Sequence, residues 1–502
     1  ITNDSFELIF NIDAKNKIYF NNLQLILPTD FNKENFSKLN TMLKNYEGEI
    51  YSFSVIENIL DEIDGITLLK QYQSIKASVN EKITNDKIDL SFIIEKTDKY
   101  FVEKINIFGN NVTRENVIRN QFEIDEGDPF NEILYKKTIN NIKSLNFFKN
   151  VKSEILSGKD ENNKIINISI EEKPTGEILM GAGIGTSGGS FAFGIKENNF
   201  LGKGISIKSD LELTGDSVKG LISFVNPNFL DSDKLISMSV EASELDNLKD
   251  FGYKTNKTGF SASTKFEYYD RLFFGIGSSN YYEKIETNST ASTRQKSQEG
   301  DYYDSFLSLN FDYDNRNQKF QTSKGFRSYY SIDIPVISKT NSLSNSYDYN
   351  YYTELYDQNI STFSFFLKNT MSITGDDIKL SERLYIPSKK LRGFERSKVG
   401  PKDGKDFIGG NSVVAMNFTS TLPNILENSQ NTDFLIFMDV ANIWGVDYDS
   451  SLNSSNKIRS SVGIGVDWFT QIGPLNFSLA HPITKNTNDV TETFRFNLGT
   501  TF

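Results

Sequence analysis

From Gly176 onward, apolar and polar residues alternate with a period of two, and that period constrains the fold more than any other feature. The last stretch is the cleanest. In "VTETFRFNLGTTF", Phe494, Phe496, Leu498 and Phe502 fall on one face of an extended strand, and Thr493, Arg495, Asn497 and Thr501 on the other. "SVGIGVDW" repeats the pattern, with Val462, Ile464, Val466 and Trp468 set against Gly463, Gly465 and Asp467. A period of two demands sheet. No run of about 18 apolar residues interrupts it, so no transmembrane helix is expected. The mean hydropathy is −0.42, yet 13% of residues are aromatic, with 40 Phe and 23 Tyr. A polar average with many aromatics suits a membrane β-barrel, whose outward face alone is apolar and carries aromatic girdles. A soluble all-β protein fits the composition equally well.

The connections narrow the choice. Short turns such as "NNFLGKG", "NPNFLDSD", "YYDRLF" and "QIGP" alternate with longer polar segments such as "IETNSTASTRQKSQEGD" and "SKTNSLSNSYDYNYY". Between Glu177 and Phe502 this reading yields sixteen strands. An even count with alternating short and long connections predicts an antiparallel 16-stranded transmembrane β-barrel over residues 176–502.

Before Gly176 the pattern is different, and it repeats. "KIDLSFIIEK" (87–96) resembles "KIINISIEEK" (164–173), and "EGEIYS" (47–52) resembles "EGDPFN" (126–131), each offset by just under 80 residues. In the second copy "YFVEKINIFGN" reads as a strand and "TRENVIRNQF" as a helix. A second helix follows, with Pro129 at its first position, Asp128 as its cap, and Tyr135, Ile139 and Ile142 at helical spacing. Two strands close the unit, giving the order β-α-α-β-β. The expected α+β modules cover residues 17–97 and 98–175. "FELIFNID", within residues 1–16, reads as the final strand of a further copy.

Several functions are excluded at this stage. A net charge of −12 argues against nucleic acid, which needs a basic face. There is no cysteine and a single histidine, His481, beside Pro482 in "LAHPI", so no thiolate or His-rich metal site can be assembled. The Ser-rich stretches lack a nucleophile elbow, "GAGIGTSGG" belongs to a β-hairpin rather than a phosphate loop, and Asp314 to Arg316 read as a turn. No catalytic residue, cofactor or metal is expected. The first residue is Ile1 with no charged leader or apolar h-region after it, so the chain reads as a mature or trimmed fragment.

A set of motifs in order now points to a family. "EGDPF" and "LNFFKNV" in the second module, "EEKPTGEILMGAGIGTSGG" at the junction, then "YDNRNQKFQTSKG", "LRGF", "FMDVANIWG", "RSSVGIGVDWFTQIGPLNFSLAHPI" and "FRFNLGTTF" together resemble the BamA family of outer-membrane assembly factors. The resemblance covers nearly the whole chain. It identifies the repeats as POTRA modules, with residues 1–16 the end of a truncated one and residues 98–175 the membrane-proximal one.

The resemblance also implies a site. In the family the loop carrying "LRGF" folds back into the barrel, and its Arg pairs with inward-facing acids. That assigns a lock to Leu391, Arg392, Gly393 and Phe394, with Asp439 in "FMDVANIWG" as acidic partner. The second partner, usually Glu, is Asn417 here; an amide can accept a hydrogen bond but brings no charge. Without the resemblance, Arg392 reads as a solvated loop residue. The family further implies a lateral seam between the first barrel strand, with Ile178, Met180, Gly181, Gly183 and Gly185, and the last, with Phe494, Phe496, Leu498, Gly499 and Phe502. Glycine packs nothing and weakens a strand, so Gly181, Gly183 and Gly185 fit a weak first strand; they fit equally a role that only relieves crowding inside the barrel. The implied function is insertion of β-barrel proteins into the bacterial outer membrane, without covalent chemistry, the POTRA modules lying in the periplasm. Implied partners are unfolded outer-membrane proteins, BamD-like and other accessory lipoproteins, periplasmic chaperones and the lipid bilayer. The alternative is a secretion or translocation pore of the same superfamily.

Overall fold

In the computed structural model the described residues run from 18 to 498, apart from 50, 52, 70–74, 85, 97–98, 186–187, 249–250, 290, 318–321, 356–358, 423–431, 448, 453–456 and 471–472. The chain divides into two compact units, residues 1–174 and 175–502. The reading of residues 1–16 as a further module lies outside the described residues.

The first unit holds two modules of one topology. In the first, strand β1 (Tyr19–Ile26) is followed by helices α1 (Ser37–Tyr46) and α2 (Phe53–Leu69), then β2 (Ile75–Thr84) and β3 (Lys87–Lys96). The second repeats this with β4 (Phe101–Phe108), α3 (Glu115–Arg119), α4 (Glu132–Ser144), β5 (Phe148–Ser157) and β6 (Asn163–Glu172). The last strand of each module is central: β3 lies parallel to β1 and antiparallel to β2, and β6 likewise between β4 and β5. A central strand covered on one face must bury every second residue. In β3 these are Ile88, Leu90, Phe92 and Ile94, and in β6 Ile166, Ile168 and Ile170. Helix α2 answers with Ile56, Ile59 and Ile63, on one face at helical spacing. Each such side chain contributes roughly 1.5–3 kcal/mol on burial.

The expected cap of α4 is displaced. The helix starts at Glu132, and Asn131 caps it, its side-chain oxygen accepting from the Leu134 N–H at 3.3 Å. Pro129 instead forms an isolated antiparallel bridge with Phe101. Asp128 accepts from the Asp125 N–H, closing a turn. Proline is suited to both positions because neither asks it for an N–H.

The second unit is a closed antiparallel barrel of sixteen strands. The first strand is Gly176–Gly185 and the last is Phe494–Leu498. Closure leaves no open edge, the condition for spanning a bilayer with sheet. The two faces are chemically distinct. On the thirteenth strand (Thr432–Trp444), Leu435, Phe437 and Asp439 are buried while Ile436 and Met438 are exposed. Val462 and Ile464 on the fourteenth strand (Arg459–Thr470) are exposed too, and Ser461 between them and the loop is buried. The exposed, outward set is apolar. One inward cavity of about 600 Å³ is lined largely by polar residues, Ser261, Ser263, Tyr281, Ser331, Asp333 and Glu382 among them.

Candidate functional site

Between the eleventh strand (Ser361–Ser372) and the twelfth (Ser412–Thr421), residues 373–411 fold back against the inner wall. The segment is held by apolar packing first. Leu384, Ile386, Leu391, Phe394 and Val399 are buried against Val413, Ala415, Ala441 and Ile443 of the wall. Small inward residues at 415 and 441 make room for the larger ones of the loop. The loop's backbone is satisfied locally, Leu384 and Gly410 exchanging both hydrogen bonds at 2.8 and 2.9 Å.

Three cations then fix the loop. Lys379, 2% exposed, pairs with Glu283 at 3.0 Å, with Asp304, and with Glu382 at 3.3 Å. Arg383 pairs with Asp447 and donates to the Asn411 side chain at 3.0 Å. Arg392 is the third. Its Nε donates to Asp439 Oδ2 and its Nη2 to Oδ1, each at 2.7 Å, a bidentate fork. Its backbone N–H donates to the same Oδ2 at 2.9 Å. The guanidinium lies 3.5 Å over the Phe437 ring, and Nη2 also reaches Thr419 Oγ1 at 3.2 Å. Asp439 is fully buried. Thus Leu391, Arg392, Phe394, Asn417 and Asp439 are brought together. Gly393 joins them for a backbone reason. Its φ is +86°, and a Cβ there would lie 3.1 Å from the Ala480 Cβ and 3.3 Å from the Ser461 Cβ.

Asn417 plays a different part from the one expected. It accepts nothing from Arg392; among the described residues its Oδ1 has no partner. Its amide donates instead, at 2.8 Å to Asp439 Oδ1 and at 2.8 Å to the Lys390 carbonyl. The Arg fork already occupies the inner side of the Asp439 carboxylate, so the neighbouring strand supplies a donor rather than a second acceptor.

The segment leading into the last strand runs along this loop. Phe394 and Thr491 form an antiparallel bridge, Glu492 N donates to the Gly393 carbonyl at 3.0 Å, and Glu395 N donates to the Val490 carbonyl at 2.9 Å. Thr491, expected within the final strand, therefore belongs to the loop contact, and the strand starts at Phe494.

Among the described residues the last strand meets the first at two pairs, Asn497 with Gly185 and Leu498 with Ile184. The first strand pairs with the second from Gly176–Glu197 through Gly185–Gly188, ten pairs. Of the expected seam residues, Gly185 and Leu498 lie in these closing pairs. Ile178 and Met180, 70% and 67% exposed, and Gly181 and Gly183 pair only with the second strand among the described residues. Phe494 and Phe496 lie opposite Leu479 and Phe477 of the fifteenth strand (Gly473–Thr484). Gly499 and Phe502 lie outside the described residues.

Sequence reasoning missed Thr419, Phe437, Ser461 and the loop cations Lys379 and Arg383. It also missed a buried ion pair: Arg459 Nε meets Asp489 Oδ2 at 2.9 Å, both side chains at 0% exposure. Arg459 carries one signal, parity, since it shares the inward face of its strand with Ser461, Gly463 and Gly465; Asp489 and the loop cations lie outside the barrel strands and carry none.

Two β-α-α-β-β modules followed by a closed sixteen-stranded barrel with an inward-folded, Arg-locked loop define a POTRA-bearing membrane β-barrel. Residues 199–502 match the Omp85 superfamily domain, and residues 100–173 match POTRA, the surface antigen variable number repeat. The chain belongs to the Omp85 superfamily. Among its relatives is an outer membrane protein assembly factor BamA from Neisseria meningitidis serogroup B, 23% identical, aligned over 94% of this chain and 66% of that protein. The protein of the same name from Neorickettsia risticii is 24% identical over 83% of this chain and 57% of its own length. This chain thus spans between half and two thirds of those relatives. Among solved structures, BamA from Haemophilus ducreyi lacking POTRA domains 1-3 superposes with a TM-score of 0.72 at 22% identity, covering 97% of this chain and all of that one.

Proposed function

We propose that this protein is an assembly factor of the bacterial outer membrane, folding β-barrel proteins into the bilayer with its POTRA modules in the periplasm. What carries the reading is a sixteen-stranded barrel closed at a seam between its first and last strands, preceded by two POTRA-like modules, in a chain related to BamA assembly factors. A strand released at that seam offers free N–H and C=O groups, which lipid cannot satisfy. An incoming strand can satisfy them by β-augmentation, and the gain is hydrogen bonding rather than bond chemistry. No enzymatic step is required.

In this reading the POTRA modules hold substrate strands and dock BamD-like and other accessory lipoproteins, while periplasmic chaperones deliver unfolded chains. The inward loop, locked by Arg392 and Asp439 with Leu391, Gly393, Phe394 and Asn417 around them, braces the wall beside the seam. In this reading Ile178, Met180, Gly181, Gly183, Gly185, Phe494, Phe496 and Leu498 border the seam; Gly499 and Phe502, which the family resemblance assigns to it, lie outside the described residues. The names and sequence likeness of the BamA relatives support assembly over the alternative, a translocation pore of the same superfamily.

The test uses liposomes, a urea-denatured outer-membrane protein and a periplasmic chaperone. Faster folding than with empty liposomes or an unrelated barrel is expected. Joining the seam through Gly185→Cys and Asn497→Cys should abolish the acceleration, and reduction should restore it. Acceleration that survives the cross-link would sink the seam, and solute flux without acceleration would favour the pore.

A further inference from the structure

The last strand carries one arginine, Arg495, on its inward face, and it does not point into open lumen. Its side chain is 10% exposed. Nη1 donates to the Ser388 carbonyl at 2.8 Å and Nη2 to the Phe394 carbonyl at 2.6 Å. Both acceptors belong to the inward loop, one just before Leu391 and one at the end of the Arg392 motif. The Glu492 carboxylate, three residues earlier on the same segment, orients the guanidinium through Nε at 2.9 Å. A planar fork is needed to span two carbonyls of fixed spacing, and arginine alone supplies it.

We propose that Arg495 is a positioning residue that sets the register of the last strand from inside the barrel. The loop is tied to the twelfth and thirteenth strands by Asn417 and Asp439, and Arg495 ties the last strand to the loop. The final strand therefore takes its place from the loop as well as from its neighbour across the seam. When the seam opens, the last strand stays and the first strand leaves. The two-residue slip that a period-two strand otherwise tolerates is blocked, because sliding would draw the guanidinium off both carbonyls. This consequence for seam opening rests on the assembly reading above.

The chain has no cysteine, so paired cysteines report register directly. Asn497→Cys with Gly185→Cys reports the native register, and Asn497→Cys with Gly183→Cys the two-residue slip. The unaltered Arg495 background should form the first disulfide and little of the second. In Arg495→Met the ratio of slipped to native product should rise about tenfold, the equivalent of one charge-assisted hydrogen bond. Arg495→Lys keeps the charge but not the fork and should fall between. An unchanged ratio in a folded barrel overturns the proposal. Should Arg495→Met fail to fold, Arg495→Lys decides it by the same ratio. Cross-linking needs no substrate, so the two readings separate. A shifted register without assembly activity in the unaltered protein sinks only the assembly reading. Activity with an unshifted register sinks only the latch.

Discussion

Arg392 and Asp439 stand 47 positions apart in the chain and meet through three hydrogen bonds to one fully buried carboxylate. One of the three comes from the backbone, so a mutation of the side chain leaves part of the contact intact. The remaining carboxylate would still lose its charge partner.

Arg392→Ala should therefore loosen the loop without unfolding the barrel. Removing one partner of a buried pair costs about 3 kcal/mol. Hydrogen exchange should rise across residues 373–411, and assembly in liposomes should slow several-fold. Unaltered exchange in that loop would show that apolar packing alone holds it.

Asn417→Glu, which restores the acid usual in the family, should destabilise this protein. The amide now gives two hydrogen bonds, to Lys390 and Asp439. A carboxylate can give neither when ionised, and it would sit beside a buried like charge. A loss of about 1–2 kcal/mol is expected in thermal unfolding of the barrel. A gain in stability would mean that Arg392 recruits the new acid.

Lys379→Met should disturb the loop more than Arg392→Ala does. It would leave Glu283, Asp304 and Glu382 facing one another without their cation. The cost is on the order of 3–5 kcal/mol. Protease cleavage within residues 373–411 should appear in this variant at temperatures where Arg392→Ala is still protected.

In the second POTRA module, Glu172 gathers a turn. Its carboxylate accepts from the N–H groups of Asn111 and Val112, each at 2.9 Å, and Thr113, at 2.6 Å. Burial alone would push this acid up. The bonds from Thr113, Val112 and Asn111 outweigh that and hold it below its ordinary 4.5. A depressed folded value means that the stabilisation is complete above the ordinary value and is lost as pH falls through the folded one. Glu172→Gln should cost about 1 kcal/mol at neutral pH and flatten this acid dependence. Amide exchange at residues 111–113, followed from pH 7 downward, is the measurement.

Much of this architecture was legible in the chain. The barrel could be read because Phe494, Arg495 and Phe496 already alternate outward, inward, outward, and local period decides which face a residue takes. The modules could be read because a central strand must alternate, and "KIDLSFIIEK" and "KIINISIEEK" became the two central strands. Even there a local signal misled: Pro129 suits a helix start and an extended bridge equally, and the fold chose the bridge.

Partners were another matter. Family likeness pointed from Arg392 to Asp439, but nothing local told whether Asn417 would give or accept a hydrogen bond. Nor did it show that Lys379 meets a carboxylate 96 positions away, or that Arg495 reaches the Phe394 carbonyl across 101. Alternation sets which side of a wall a residue faces, and that is a property of neighbours in sequence. Which group waits on the inner side depends on how sixteen strands close and where one loop lies within them, and those contacts exist only after the barrel has formed.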